Sequence, residues 1–399
     1  HVSHKRTHIM IPQQDPIALT QALIRCESVT PVEGGALTLL ENVLQPAGFT
    51  CHRLTFSTPG TPDVENLYAR IGTAGPHLCF AGHTDVVPPG RLDAWSVPPF
   101  SGEIRNGLLY GRGSVDMKGG VACFVAAALD YLASQGSQFR GSISFLITGD
   151  EEGPSINGTM KLLEWLRDRD EQISACLVGE PSNPEALGDE IKIGRRGSIN
   201  AEIVVHGRQG HSAYPQKADN PIPKLARIVD RLSSVEIDRG TAHFQPSNLQ
   251  TTVISAPNSA SNVIPAEARA IVNIRYNDTW NRQTIETWLR EQTAAAAATI
   301  DARYDIDVSG TGDVFLTSPE GPLVEQLVAA IRTETGRTPA LTTGGGTSDA
   351  RFIKDLCPVI EFGPVNKTIH AVDEHVPVSE LTQLTAIYRR FIEGYFKAI

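Results

Sequence analysis

Six side chains dominate the chemistry this chain could do. His83, the adjacent pair Glu151 and Glu152, and Glu180 each sit just past a short apolar run; Asp116 ends a glycine-rich stretch before a helix, and His370 follows a loop beyond a further apolar run. Oxygen and imidazole ligands in this number could hold two divalent metals and leave one carboxylate over for proton transfer. Two histidines with carboxylates and no cysteine suit zinc in an open catalytic site better than in a closed structural one. Two metals sharing Asp116, one on each oxygen, would stand about 3.5 to 4 Å apart around a bridging water.

Each position has a plainer alternative. A single histidine after a strand is usually a satisfied polar residue, Asp116 is placed to cap the helix that follows, and Asp150-Glu151-Glu152 reads as a solvated acidic turn. Three like charges after a buried strand nonetheless repel one another unless a cation or proton compensates, and the strand-then-ligand pattern recurs too often for capping to explain. Asp85, two residues past His83, lies on the same side of an extended chain and could orient the imidazole by accepting its other N–H. Glu151 and Glu152 could divide metal binding and proton transfer between them, and spacing does not say which does which.

Regular elements must carry these positions. Residues 78–81, 143–148, 175–178 and 359–362 read as short buried strands, alternating with helical stretches at 16–25, 37–44, 121–132, 160–167, 322–333 and 380–396. That alternation predicts an α/β fold, a mostly parallel sheet with helices, whose ligands gather beyond the carboxyl ends of the strands. From Gly197 the texture changes to β-α-β-β-α-β, which predicts a smaller α+β domain inserted into the first. The expected division is a disordered leader at 1–15, a catalytic domain of 16–196 and 310–399, and an insert at 197–309.

Composition narrows the partners. The formal charge of −10 argues against nucleic acid and anionic membrane surfaces, and no run approaches the roughly 20 apolar residues of a membrane span. The six scattered cysteines include no Cys-x-x-Cys pair and read as buried small hydrophobes. A cytoplasmic enzyme acting on a small molecule is the expectation.

The segments around His83, Asp116, Glu151 and Glu180 resemble the M20 family of dinuclear zinc aminoacyl hydrolases. So do Ser28-Val29-Thr30-Pro31, Gly194-Arg195-Arg196-Gly197-Ser198, the stretch from Gly344 to Phe352, and the Glu361 to His370 segment; together the likeness covers nearly all of 16–399. The resemblance implies that His83, Asp116 and Glu180 bind one zinc and Asp116, Glu152 and His370 the other, with cobalt as an alternative metal. It makes Glu151 the general base, counts Asp85 with the catalytic group, and gives the sheet helices on both faces. The insert becomes a lid and dimerisation domain. His211, otherwise an exposed turn histidine, would reach across a homodimer to stabilise the oxyanion in the partner's site. For an anionic substrate with carboxylates at both ends, the resemblance points to Arg195, Tyr214, Asn262, Arg275, Thr347, Ser348, Arg351 and Asn366. One departure is Asp373 before Glu374, where the family pattern has asparagine; aspartate can make similar turn contacts.

Overall fold

Asp15 opens the first helix, its carboxylate accepting the backbone N–H groups of Ile17 and Ala18 at 2.9 and 3.1 Å, with Pro16 at the first helical position. Asp15 is therefore a cap and not part of a leader. The rest of that expectation, residues 1–14, lies outside the residues described by the computed structural model, which are 15–310 and 313–399.

Along the chain come α1 (Pro16–Ile24), α2 (Ala36–Leu44), β1 (Thr50–Phe56), β2 (Val64–Ile71), β3 (His77–His83), α3 (Lys118–Gln135), β4 (Ser142–Thr148), α4 (Thr159–Arg167), β5 (Ala175–Val178) and β6 (Glu190–Lys192). Next are β7 (Gly197–His206), α5 (Pro221–Ser234), β8 (Asn248–Ser255), β9 (Glu267–Tyr276), α6 (Arg282–Ala298) and β10 (Arg303–Ser309). The chain closes with α7 (Pro322–Thr335), β11 (Ala340–Thr342), β12 (Val359–Glu361) and α8 (Val378–Ala398).

The described residues pack as two compact units, the first of 15–193, Thr317–Thr342 and Ser348–Ile399, the second of the described residues of 194–316 and Thr343–Thr347. In the first, eight strands form one sheet in the order β1-β2-β4-β3-β5-β12-β6-β11. Strands β4, β3, β5 and β12 run parallel at its centre; their nearly unbroken apolar sequence is what a strand buried on both faces requires. Strands β1 and β2 extend the sheet antiparallel. Helices cover both faces. Phe80 of β3 stacks on Phe124 of α3 with centroids 4.4 Å apart and meets Tyr388 of α8 edge-on. Tyr68 of β2, paired with Leu146 beside the oppositely facing Phe145, packs on Trp165 of α4.

The second unit is an antiparallel sheet in the order β8-β9-β7-β10. Strict alternation turns Ile199, Ala201, Ile203 and Val205, with Ala268, Ala270, Val272 and Ile274, into a core shared with residues of α5 and α6. Strand β8 is an edge, with Val253 and Ile254 exposed at 44% and 62%. No helix among the described residues is long and apolar enough to cross a membrane.

Candidate metal centre and active site

Strand β3 ends on His83. Its Nδ1 lies 2.8 Å from the carbonyl oxygen of Asp85; a carbonyl only accepts, so Nδ1 carries the proton and the Nε2 lone pair is left for the site. The expectation that the Asp85 carboxylate receives this N–H is corrected here. That carboxylate stands 3.6 Å from Nδ1 and instead accepts the backbone N–H groups of Glu151 at 3.3 Å and Glu152 at 3.0 Å. Two backbone donors satisfy its two oxygens better than one imidazole would, and they fix the acidic pair relative to β3.

Asp116 is not a helix cap: Met117 occupies that position of α3, with no side-chain cap. Its Oδ1 lies 3.1 Å from His83 Nε2 and its Oδ2 3.1 Å from His370 Nε2, one oxygen to each imidazole, the arrangement a bridging ligand needs. Glu180 Oε1 and Glu151 Oε2 stand 3.6 and 4.0 Å from His83 Nε2, and Glu152 Oε1 is 2.9 Å from His370 Nε2. Ligand atoms of His83, Asp116 and Glu152 lie within 4.8 Å of one another, as do those of His83, Glu151 and Glu180.

Charge crowding sets the protonation of this cluster. Burial, together with the negative charges of Asp349, Asp116 and Glu152, pushes Glu151 well above the carboxylate range despite the pull of His83. Burial, Asp116 and Glu151 do the same to Glu180. Hydrogen bonds to Asp116 and Glu152 raise His370 to about 10. Burial opposes a charged His83, yet Asp116 and Glu180 raise it well above the ordinary imidazole value. Burial would also raise Asp116, but hydrogen bonds from His370 and His83 overcome it and hold that carboxyl low. Protons thus offset repulsion that divalent cations would relieve more fully, and the donor set fits such cations.

The loops owe their shape to acids that sequence reasoning underrated. Asp150, first of the acidic triplet, accepts the N–H groups of Ile156 and Asn157 at 2.8 and 2.9 Å and closes the loop bearing Glu151 and Glu152. Glu374 accepts the N–H groups of Gly113, Val115 and Asp116 and pairs with Arg112. Its partners lie about 260 positions away along the chain, so no local pattern announces them; only its place after the Asp373 departure could have drawn notice. Asp373 itself has φ +58°, a left-handed conformation that Asn and Asp tolerate alike, and accepts the Ser96 N–H at 2.8 Å. Glu180 leaves β5 through Gly179, where a Cβ would meet Phe80 at 2.4 Å.

Other expected residues fall in separate places. In the first unit, Ser348 is buried and donates to the Glu361 carboxylate. Arg351 lies over the Phe352 ring at 4.6 Å, and Asn366 donates its backbone N–H to Asn183. In the second, Arg195 Nη1 donates to the carbonyls of Gly344 and Gly346, both at 3.0 Å, on the loop that carries Thr347. His211 pairs with Val263, and the Ser212 N–H donates to Asn262 at 2.9 Å, which makes His211 and Asn262 neighbours. The Tyr214 ring lies 5.7 Å from that of His211. Ala213 donates its N–H to His211 Nδ1 at 3.0 Å, so the neutral ring carries its proton on Nε2. Arg275 Nε donates to Asn273 on the face of the sheet away from α5 and α6.

Residues 79–394 match the model for peptidase family M20/M25/M40. The chain is 59% identical over 382 residues to succinyl-diaminopimelate desuccinylase of Methylobacterium nodulans, covering 96% of each protein. It is 56% identical over 390 residues to the protein of that name from Rhodopseudomonas palustris, covering 98% of this chain and 100% of the relative. Among solved structures it shares the fold of aminopeptidase PepT from Bacillus cereus, with a TM-score of 0.77 at 20% identity over 97% of this chain and 100% of that one. It also shares the fold of a dinuclear metal binding M20 peptidase from Bacillus subtilis, with a TM-score of 0.70 at 15% identity over 97% and 98%.

Proposed function

The chain belongs to peptidase family M20/M25/M40, and from that premise we propose that it hydrolyses the amide of N-succinyl-LL-2,6-diaminopimelate to succinate and LL-2,6-diaminopimelate, for lysine and cell-wall synthesis. The observation that carries the reading is a cluster of two imidazoles and four carboxylates, the half-buried Glu151 among them to spare, in a chain 59% identical to a desuccinylase over nearly its whole length.

In this reading His83, Asp116 and Glu180 hold one divalent ion and Asp116, Glu152 and His370 the other, zinc first and cobalt as a substitute. Such ions, when bound, supply Lewis-acid charge to the scissile carbonyl and acidify water. Glu151 takes a proton from the attacking water and delivers it to the departing amine as the C–N bond breaks. Glu151 binds neither ion in this reading, so its carboxylate is free to hold the proton between the two transfers. Asp85 acts through the backbone of Glu151 and Glu152.

His211, with its proton on Nε2, serves as an oxyanion donor in the site of a partner subunit, where the loss of such a donor is worth about 3 to 4 kcal/mol. The edge strand β8, with Val253 and Ile254 exposed, supports a homodimer through the second unit. Arg195, Arg275 and Arg351 are the guanidinium groups that an acidic protein needs for a substrate with a carboxylate at each end, with Tyr214, Asn262, Thr347, Ser348 and Asn366 as further polar contacts. All six cysteines are free thiols, which suits a cytoplasmic location.

Glu151→Gln tests the division of roles. We expect it to retain both ions and lose about 10²- to 10⁴-fold in kcat; metal analysis beside a rate assay reads both, and near-normal turnover would remove Glu151 from its role.

A further inference from the structure

Arg112 and Glu374 take no part in the chemistry above, yet they form an ion pair at 2.7 Å with 2% and 0% exposure. Each oxygen of Glu374 accepts two N–H groups. Oε1 takes those of Val115 and Asp116 at 2.9 and 3.1 Å; Oε2 takes Arg112 Nη1 at 2.7 Å and Gly113 at 3.1 Å. The backbone of Asp116 is thereby fixed from behind. Arg112 Nη2 reaches the other way and donates to the carbonyl of His370 at 3.3 Å. The pair therefore grips the backbones of the two residues whose side chains meet at Asp116 Oδ2 and His370 Nε2. His83 is held differently, at the end of a strand paired on both sides and by the Asp85 carbonyl.

We propose that the Arg112–Glu374 pair is a positioning device acting chiefly on one metal subsite, that of Asp116, Glu152 and His370, and less on that of His83, Asp116 and Glu180, with which it shares only the Asp116 contact. The proposal rests on the two-ion reading above. Its asymmetry follows from the contacts: Glu374 holds the Asp116 backbone, common to both subsites, Arg112 alone reaches His370, which serves only one, and His83 takes its own anchor from the Asp85 carbonyl.

Two variants separate the possibilities. In Glu374→Gln one oxygen becomes an NH2 that must face two N–H donors, so the loop cannot keep its shape. In Arg112→Lys the charge stays but the planar fork that spans Glu374 and His370 is lost. The probe is Zn²⁺ alone, titrated calorimetrically into metal-stripped protein, with Co²⁺ absorption following stepwise filling. Wild type should bind two ions. Arg112→Lys should keep one affinity within about threefold and weaken the other by about 10- to 100-fold, the usual range for partners of metal ligands, and Glu374→Gln should weaken that same affinity by more than it weakens the first. Unchanged affinities, or both weakened alike as general loosening would give, overturn the proposal. Wild type binding a single ion would instead overturn the two-ion reading and the proposal with it. If thermal unfolding shows that Glu374→Gln does not fold, Arg112→Lys decides alone.

Discussion

Protons and metal ions compete for the same lone pairs at His370. With Asp116 and Glu152 raising it to about 10, the metal-free imidazole is protonated throughout the neutral range, and an ion entering there must expel that proton. Affinity at this subsite should therefore rise with pH, about tenfold per unit below the raised value, and level off above it. Calorimetry in two buffers of different ionisation enthalpy counts the protons released; a heat independent of buffer would contradict the assignment. Residue types made the candidate site legible: His83, Glu151, Glu152 and Glu180 stand out because each follows a run that must be buried, and Asp116 and His370 because their types complete a ligand set. The order of Glu151 and Glu152 was not readable, since neighbours in sequence differ only by how a loop turns them. Nor was the exchange of roles at Asp85, whose carbonyl rather than carboxylate meets His83.

At the scale of elements, the four central strands were legible because burial on both faces demands unbroken apolar sequence. Strand β1 was not, since an antiparallel margin of exposed and half-buried residues resembles loop, nor was β2, mostly buried but with Glu65, Asn66 and Arg70 breaking its apolar run. Strands β6 and β11, at three residues each, are too short to show a period. The join between central strands carries its own titration. His77, at the start of β3, has Nδ1 2.7 Å from the Gln172 carbonyl and Nε2 2.7 Å from Ser144 Oγ of β4, and burial lowers it to about 4. The unfolded chain takes up this proton near pH 6.5 and the folded chain only near 4, so the contribution is complete above 6.5 and is lost as pH falls toward 4. It amounts to something on the order of 3 kcal/mol. Urea unfolding at pH 7 and pH 4.5 should show a steeper loss for wild type than for His77→Gln; parallel losses would show that His77 does not titrate this way.

For the whole molecule, the insertion of one α+β unit into an α/β unit was visible as a change of texture and a return. A role for the insert is not legible in its residues alone: His211 looks like any turn histidine, and only the family resemblance suggests that it reaches a second subunit. If His211 serves the partner's site, mixing Glu151→Gln and His211→Ala subunits builds one intact site in each mixed dimer, restoring about a quarter of wild-type activity from random pairing of two inactive parents. No restoration on mixing would place His211 in its own subunit's site or outside catalysis. Substrate identity also belongs to this scale, since the metal cluster encodes amide hydrolysis and the recognition of two distant carboxylates falls to other residues. The most direct test compares kcat/KM for N-succinyl-LL-2,6-diaminopimelate and N-acetylornithine, with metal-stripped and zinc-restored protein. A preference of about 100-fold or more for the succinyl substrate is expected, abolished by stripping and recovered with zinc; equal or faster cleavage of acetylornithine, or activity indifferent to metal, would contradict the proposed function.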